Sequence, residues 1–362
     1  MPIVPLTGHA PLRRRLLEAA ARDTLPASLL LQGPRGVGKQ RLGLWLGQVL
    51  LCQGPMEQRP GGEPCDRCRH CRYALELTHP DLHWYFPRPR LKDGDASPAD
   101  VQADLAGARA ERAERHGLYA PSAGTESLYV STVRSLVQQA AVSPALARRK
   151  VFVVGDAERM VPQEGAEAGA NAFLKLLEEP PADTVLVLTS SEPGALLPTI
   201  RSRVVTVRVP PLAPADVVAL LEREEVRAVL AADGVREPAA TLADRAGGAP
   251  GALFGGTATA AATAAADRIL SAVLQGGRPE RLKVAFVQGA AGARGAYSDV
   301  LDALTIALRD MARDAAASNE RRALGAARAV DAVERAKVRA AGNVSPQLLT
   351  AELVRVLAAE LS

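Results

Sequence analysis

The sequence contains no apolar run as long as a membrane-spanning helix, which needs about 20 residues. It also lacks the apolar core and cleavage site of a secretion signal, because Arg13, Arg14 and Arg15 follow only a short mixed segment. We therefore expect a cytoplasmic protein without membrane contact. The net charge of +4 over 362 residues is compatible with a polyanionic partner and equally with an ordinary solvated surface, so charge alone does not decide between them. The length and an apolar content of 48% predict two or three domains.

Cysteine is scarce, but all four thiols lie in one short window. Cys52, Cys65, Cys68 and Cys71 contain two overlapping C-x-x-C steps, a spacing with which four thiolates close a tetrahedral Zn²⁺ site. Disulfides are the alternative, and a reducing compartment disfavours them. Four thiolates leave no position open for water, so we predict a structural zinc. His70 is then expected to be a solvated loop residue outside the ligand set.

The sequence contains a phosphate-binding loop that lacks its usual Ser or Thr hydroxyl. The segment 33–40 reads Gly-Pro-Arg-Gly-Val-Gly-Lys-Gln, between the apolar run 28–32 and a helical apolar pattern, which disfavours a chance glycine-rich turn. Gly33, Gly36 and Gly38 let backbone N–H groups surround phosphate oxygens, and Lys39 would reach the β- and γ-phosphates. Gln40 stands where Mg²⁺ needs a Ser or Thr hydroxyl. The pattern predicts a degenerate P-loop, in which binding of ATP and Mg²⁺ is in doubt.

A second departure follows the buried strand predicted at Lys150–Val154, whose uninterrupted apolar run is typical of a parallel sheet covered on both faces. In a P-loop ATPase this strand ends in Asp-Glu, which supports Mg²⁺ and orients the attacking water. The chain continues Gly155-Asp156-Ala157-Glu158. Either Gly155 replaces the aspartate or Ala157 replaces the glutamate, and both registers are open at this stage.

Residues 87–126 contain few apolar side chains and alternating charges. We interpret them as an exposed charged insertion with one solvated helix near Pro98 to His116. Its arginines could contact nucleic acid, but the acidic residues beside them favour an ordinary solvated face.

Two later segments resemble a known family. Residues 171–181 read Asn-Ala-Phe-Leu-Lys-Leu-Leu-Glu-Glu-Pro-Pro, and residues 199–204 read Thr-Ile-Arg-Ser-Arg-Val. They are similar to the N-A-L-L-K-x-L-E-E-P-P and T-I-x-S-R-C motifs of the bacterial DNA polymerase III clamp-loader family of AAA+ proteins. The resemblance runs from near Leu6 to about Leu253, and Val204 departs from it in place of a cysteine.

The resemblance implies an α/β fold: a P-loop AAA+ domain with a parallel sheet and an inserted zinc module, then a small helical lid and a C-terminal helical collar. We place the domains as follows: AAA+ at 1–211, with the zinc module at 52–71 and the charged insertion at about 87–126, lid at 212–262, and collar at 263–362. The implied partners are gamma/tau-type and delta-type loader subunits in a pentameric ring. Through that complex they include the sliding clamp and primer-template DNA.

The family's ATPase subunits keep the P-loop hydroxyl, the Asp-Glu pair and a lid arginine called sensor 2. The chain has Gln40, the altered segment 155–158 and Gly248-Ala249-Pro250-Gly251 at these places, so it most resembles the loader subunit that does not hydrolyse ATP. The resemblance implies that Arg203 is catalytic in trans, as an arginine finger for a neighbour's ATP. A surface salt bridge is the alternative for that side chain. The rival functions are an active gamma/tau-type loader ATPase and a zinc-dependent DNA-binding protein.

Overall fold

A computed structural model of the chain describes residues 2–91, 96–120, 126–160, 167–192, 194–287, 294–316, 318–340 and 344–361. These residues form two compact units, with the boundary between Phe254 and Gly255. The predicted division between lid and collar, at 262/263, falls inside a helix that spans Gly256–Leu274. All of the predicted domain boundaries stay predictions.

The first unit alternates strands with helices. Its strands are β1 (Ser28–Gln32), β2 (Leu82–Tyr85), β3 (Lys150–Val154), β4 (Thr184–Ser190) and β5 (Val205–Arg208). Its helices are α1 (Ala10–Ala21), α2 (Lys39–Leu51), α3 (Arg69–Leu75), α4 (Pro98–Glu114), α5 (Val130–Ala141), α6 (Glu167–Glu178), α7 (Pro198–Arg201), α8 (Pro214–Leu221), α9 (Glu224–Ala232) and α10 (Ala239–Ala246). Short 3-10 turns lie at Met56–Gln58, Pro60–Gly62, Ala157–Arg159 and Pro250–Leu253.

The five strands form one parallel sheet in the order β2-β3-β4-β1-β5. Every residue of β3 and β4 is buried, which explains why the centres of both strands are apolar. The edge strand β5 is more open, and Val205 in it is 51% exposed. The predicted α/β fold with a parallel sheet is confirmed. In such sheets ligands bind beyond the carboxyl ends of the strands, where the loops after β1 and β3 lie.

The insertion is less exposed than its composition suggests. Ser97 and Asp100 form a capping box at the start of α4, so the predicted helix is present. The prediction that this helix is solvated is wrong, because it buries Val101, Leu105, Ala108 and Ala113. Positions i, i+4 and i+7 form an apolar stripe, which the charged residues around it conceal in the sequence.

The helices α8, α9 and α10 form a separate apolar cluster within the first unit. Val217, Leu221 and Val226 are fully buried in it, and Val4 and Leu118, from outside these helices, belong to the same cluster. Gly247, in the left-handed conformation at φ 54°, ends α10. The segment that follows turns back toward the loop between β1 and α2.

The second unit is helical. It contains α11 (Gly256–Leu274), α12 (Arg278–Val287), α13 (Arg294–Ala315), α14 (Glu320–Ala340) and α15 (Pro346–Glu360). Leu301, Leu304, Leu308, Val333 and Leu357 are fully buried in its core. Among the described residues of the chain, no helix combines the length and the apolar character needed to cross a membrane.

Candidate nucleotide site and metal centre

The phosphate-type loop connects β1 to α2 and depends on its glycines. Gly36 and Gly38 have φ values of 83° and 92°, a backbone region that other L-residues rarely adopt. A Cβ at Gly33 would lie 2.1 Å from the carbonyl oxygen of Val209. The three predicted glycines therefore shape the loop, and α2 begins directly at Lys39.

Lys39 is buried and fully engaged by the protein. Its Nζ donates to the carbonyl oxygens of Gly33 (2.9 Å) and Pro34 (2.8 Å) and to Oγ of Ser191 (2.8 Å). An ammonium group has three protons, so these contacts use all of them. Burial lowers the pKa of Lys39 to about 8, against the opposing charges of Asp156 and Glu158. A phosphate could reach this ammonium only by displacing bonds that already exist.

Gln40 fills the space where the loop meets the end of β3. Its Oε1 accepts a hydrogen bond from Nε1 of the buried Trp84 at 2.9 Å, and its Nε2 donates to Oδ2 of Asp156 at 3.3 Å. A Cβ on Gly155 would lie 2.4 Å from Oε1 of Gln40. Gly155 thus packs against Gln40 through its backbone, while the carboxylate of Asp156 is hydrogen-bonded to the amide of the same side chain. The two registers that the sequence left open stay open.

The acidic residues beyond β3 are tied to β4. Asp156 adopts a left-handed conformation (φ 48°), and its N–H donates to Oγ1 of Thr189 at 3.0 Å. Oε1 of Glu158 accepts from the N–H of Ser191 at 2.9 Å. Burial, together with the charge of Asp156, raises the pKa of Glu158. Ser191 therefore links Lys39 to Glu158 within the protein itself.

The lid segment rests on the loop through backbone atoms. The N–H of Gly251 donates to the carbonyl oxygen of Gly36 at 2.9 Å, and a Cβ on Gly251 would lie 2.7 Å from Cα of Gly36. No side chain extends from this glycine toward the phosphate position, so the segment contributes no cation there. A cavity of ≈140 Å³ remains beside the contact, lined largely by apolar residues such as Leu6, Leu118 and Phe254.

A buried arginine from the insertion lies near the same cavity, and sequence reasoning missed it. The guanidinium of Arg112 sits 4.5, 3.4 and 3.9 Å from the ring centroids of Trp84, Phe86 and Tyr119. Burial lowers its pKa to about 10, and burial raises the pKa of Tyr119 to about 12. These cation–π contacts join the insertion to the sheet and contradict a purely solvated role for its arginines.

The four cysteines converge as predicted. Their sulfur atoms all lie within 4.8 Å of one another, and all four thiols are free. The N–H groups of Cys65, Cys68 and Cys71 point at the sulfurs of Cys52 (3.4 Å), Cys65 (3.4 Å) and Cys68 (3.5 Å). Such N–H···S contacts are suited to thiolates that bind a metal.

The electrostatics of the cluster also fit a cation. Burial raises the pKa of Cys71, and the neighbouring sulfurs raise it further. The pKa of Cys65 falls to about 6, because N–H groups of Cys68 and Arg67 and the nearby thiols outweigh the opposing effect of burial. Four thiols this close cannot all ionise without a positive charge among them. The cluster can hold a metal ion, and its donor set is compatible with zinc.

Behind the cysteines lies a buried polar chain. His70 is 1% exposed, and its Nδ1 lies 2.9 Å from Nε2 of His79. Nδ1 of His79 accepts from the N–H of Asp81 at 3.0 Å. The carboxylate of Asp81 accepts three backbone N–H groups, from residues 145, 146 and 147, at 2.6–2.8 Å. The prediction of a solvated His70 is wrong, because this chain of contacts joins it to the segment before β3.

Arg203 lies just after α7 and does not project freely outward. Its Nη2 is 2.5 Å from Oε1 of Glu178 on α6, and its Nη1 donates to the carbonyl oxygen of Thr199 at 2.8 Å. Nη1 also lies 3.2 Å from Oγ of Ser202. In this single chain, the Arg203 guanidinium therefore forms an intramolecular salt bridge. A surface salt bridge is the alternative role that the sequence left open for this side chain.

A five-stranded parallel sheet with a glycine loop between β1 and α2, followed by a small helical lid, defines an AAA+-type P-loop fold. The family model described as "DNA polymerase III, delta subunit" matches residues 8–213, more than half of the chain. The chain therefore belongs to the DNA polymerase III delta-subunit family, as a clamp-loader subunit of the delta prime type.

Three comparisons illustrate the relationship. "DNA polymerase III subunit delta'" of Pseudomonas aeruginosa is 34% identical over 176 residues, which is 49% of this chain and 40% of that protein. "DNA polymerase III subunit gamma/tau" of Mycobacterium tuberculosis is 30% identical over 174 residues, 48% of this chain and 22% of that protein. A solved DNA polymerase III gamma subunit-related protein of Thermotoga maritima covers 97% of this chain and 99% of that chain, with a TM-score of 0.41 and 17% identity. The chain thus spans less than half the length of these two curated relatives.

Proposed function

We propose that this chain is a non-hydrolysing subunit of the DNA polymerase III clamp loader, which supports loading of the sliding clamp in DNA replication. The observation that carries this proposal is the contact between Gln40 and Gly155. An amide occupies the space where a metal-bound hydroxyl and a carboxylate would meet, and Mg²⁺ demands near-ideal octahedral oxygen ligands. Hydrolysis in this site therefore lacks its metal support.

The surroundings of the loop support the same conclusion. Lys39 already donates to three protein acceptors, and Gly251 brings backbone in place of a cationic side chain. Nucleotide binding would have to break the Lys39 contacts without the gain from a well-coordinated metal. We infer that ATP and Mg²⁺ bind weakly or not at all.

The proposed contribution to catalysis is in trans. A guanidinium that reaches a neighbour's γ-phosphate stabilises the charge that develops there during transfer. Arg203 is flanked by exposed apolar side chains, with Leu197 42% exposed before it and Val205 51% exposed after it. Apolar groups around a cation at the end of the sheet are compatible with a subunit interface.

The remaining parts of the proposal concern metal, partners and location. We propose that Cys52, Cys65, Cys68 and Cys71 hold a structural Zn²⁺, since their sulfurs are close enough for one ion and leave no open coordination position. We also propose that the chain assembles in the cytoplasm with gamma/tau-type and delta-type subunits in a pentameric ring, which meets the sliding clamp and primer-template DNA. The helical second unit would be the collar of that ring.

The first test is ATP turnover, measured on the isolated chain and on the reconstituted loader. The isolated chain should hydrolyse ATP at the background rate, and Lys39→Ala should not change that rate. In the loader, Arg203→Ala should slow DNA-stimulated hydrolysis at one site by about 10³-fold. Arg203→Lys should rescue poorly because a point charge does not reproduce the planar fork. The matched control is Arg201→Ala, which removes an exposed arginine from the end of α7, two residues before Arg203.

Two results would change the assignment. Turnover by the isolated chain that disappears in Lys39→Ala would establish the rival gamma/tau-type ATPase. Equal loader activity for Arg203→Ala and wild type would refute the role in trans.

A further inference from the structure

The salt bridge between Arg203 and Glu178 connects the two segments that resemble clamp-loader motifs. Glu178 is the last residue of α6, and Arg203 follows α7. Nη2 of Arg203 lies 2.5 Å from Oε1 of Glu178, which places the guanidinium against the end of α6. The next residue, Glu179, is also exposed, but the contact to Arg203 comes from Glu178.

When Arg203 is paired with Glu178, most of the hydrogen-bond donors of its guanidinium are engaged. Nη1 faces Thr199 and Ser202, and Nη2 faces Glu178. In the part of the chain that the structure describes, Nε of Arg203 is buried and has no hydrogen-bond partner. An unsatisfied buried donor destabilises this position relative to one in which every N–H finds an acceptor. The pair is therefore closed but incompletely satisfied.

We infer that Glu178 is a latch for Arg203: it holds the guanidinium on the subunit's own α6 until a phosphate of a nucleotide bound to a neighbouring subunit replaces its carboxylate. This inference rests on the proposed role of Arg203 in trans. Glu178 is then a positioning residue, because it acts on the neighbour's nucleotide only through Arg203.

The exchange is close to balanced because both partners are accessible. The side chains of Arg203 and Glu178 are 27% and 48% exposed, so water and counter-ions weaken their attraction. A γ-phosphate carries more charge than one carboxylate and offers several acceptor oxygens. The latch should therefore open when nucleotide is present across the interface. Removal of the Glu178 charge should change the apparent affinity of the loader for ATP by about two- to fivefold, the range that corresponds to exposed ion pairs.

The variant that tests the latch is Glu178→Gln, which keeps the size of the side chain and removes its charge. Steady-state ATP hydrolysis is measured on the reconstituted loader, with and without primer-template DNA. We expect Glu178→Gln to lower the apparent KM for ATP by about two- to fivefold. It should raise the rate of ATP hydrolysis without DNA by about the same factor. The kcat with saturating ATP and DNA should stay at the wild-type value, because Arg203 is then on the phosphate in both proteins.

Two comparisons isolate the effect. Glu179→Gln removes a neighbouring exposed carboxylate from the same motif and should behave as wild type. In an Arg203→Ala background, Glu178→Gln should have no further effect, since the latch then has nothing to hold.

The outcomes separate the latch from the proposed function. If Arg203→Ala impairs hydrolysis while Glu178→Gln matches wild type, the latch is refuted and the trans role stands. A raised KM in Glu178→Gln also overturns the latch, because it would mean that Glu178 aims the arginine toward its target. If Arg203→Ala has no effect, the proposed function itself fails, and the latch with it.

Discussion

Replacement of Gly155 by alanine tests whether the Gln40 amide truly closes the space beside the loop. Gly155 needs no positive φ, so its backbone conformation suits alanine and the new methyl group is the only change. That methyl would lie 2.4 Å from Oε1 of Gln40, far inside van der Waals contact. Gln40 must therefore move.

The cost follows from what Gln40 would give up. Its side chain is flexible, but Oε1 is the acceptor for Nε1 of Trp84, a residue that is 1% exposed. A displaced amide leaves this indole N–H buried without an acceptor, which costs about 1–3 kcal/mol. Overpacking in a dense region falls in the same range. We expect Gly155→Ala to lower the free energy of unfolding of the first unit by about 1–3 kcal/mol.

The assay is urea denaturation followed by tryptophan fluorescence. The chain has two tryptophans, Trp45 and Trp84, and both lie in the first unit, so the signal reports on that unit. Gly107→Ala is the matched control, because this exposed glycine of α4 has open space around an added Cβ. It should stabilise the helix by about 0.5–1 kcal/mol.

A double variant distinguishes the contact from a general effect on β3. Gln40→Ala removes the group that the new methyl would strike, so Gln40→Ala and Gly155→Ala together should cost less than the sum of the two single changes. A neutral or stabilising Gly155→Ala, or strict additivity in the double variant, would refute the packing that underlies the proposed loss of hydrolysis.

Two further predictions concern zinc and pH. Purified protein should contain about one equivalent of zinc, and Cys68→Ser should release it and increase amide hydrogen exchange in the segment 52–71; an unchanged metal content would exclude the site. The pKa of Lys39 in the folded protein, about 8, is below its ordinary value of 10.5. Between pH 8 and 10.5 the unfolded chain therefore binds more protons at this lysine than the folded chain does. The contribution of Lys39 to the free energy of unfolding consequently rises with pH over this range. Urea denaturation between pH 8 and 10, below the pKa of about 12 of Tyr119, should show this rise in wild type and not in Lys39→Met. The same slope in both proteins would contradict it.

Much of the sheet could be predicted because its central strands are long and apolar. The runs 28–32, 150–154 and 184–190 each have an apolar, buried centre, and each forms a strand. The strand β2 was not predicted, since its four residues include His83 and owe their extended form to pairing with β3. Tertiary contact decided the conformation of this short segment, where local pattern was weak.

Some features of the candidate sites could likewise be predicted from the sequence, and others could not. The cysteine spacing sufficed to predict the cluster, because all four ligands lie close together in sequence. His70 was misjudged because its partners, His79 and Asp81, are identified only by packing. Gln40 and the altered segment that begins at Gly155 are separate departures from the family pattern in the sequence. They are one contact between residues far apart in the chain, and no local signal could have joined them.

The backbone hydrogen bond between Gly251 and Gly36 constrains which mutations this protein can accept during evolution. Any side chain at position 251 would meet the main chain of the loop, and a Cβ on Gly36 would in turn lie 3.1 Å from the carbonyl oxygen of Ala249. A single mutation that placed an arginine at residue 251 would therefore push the lid segment away from the loop. Under the proposed function, nucleotide hydrolysis by way of residue 251 would need the loop, the lid and the end of β3 to change together.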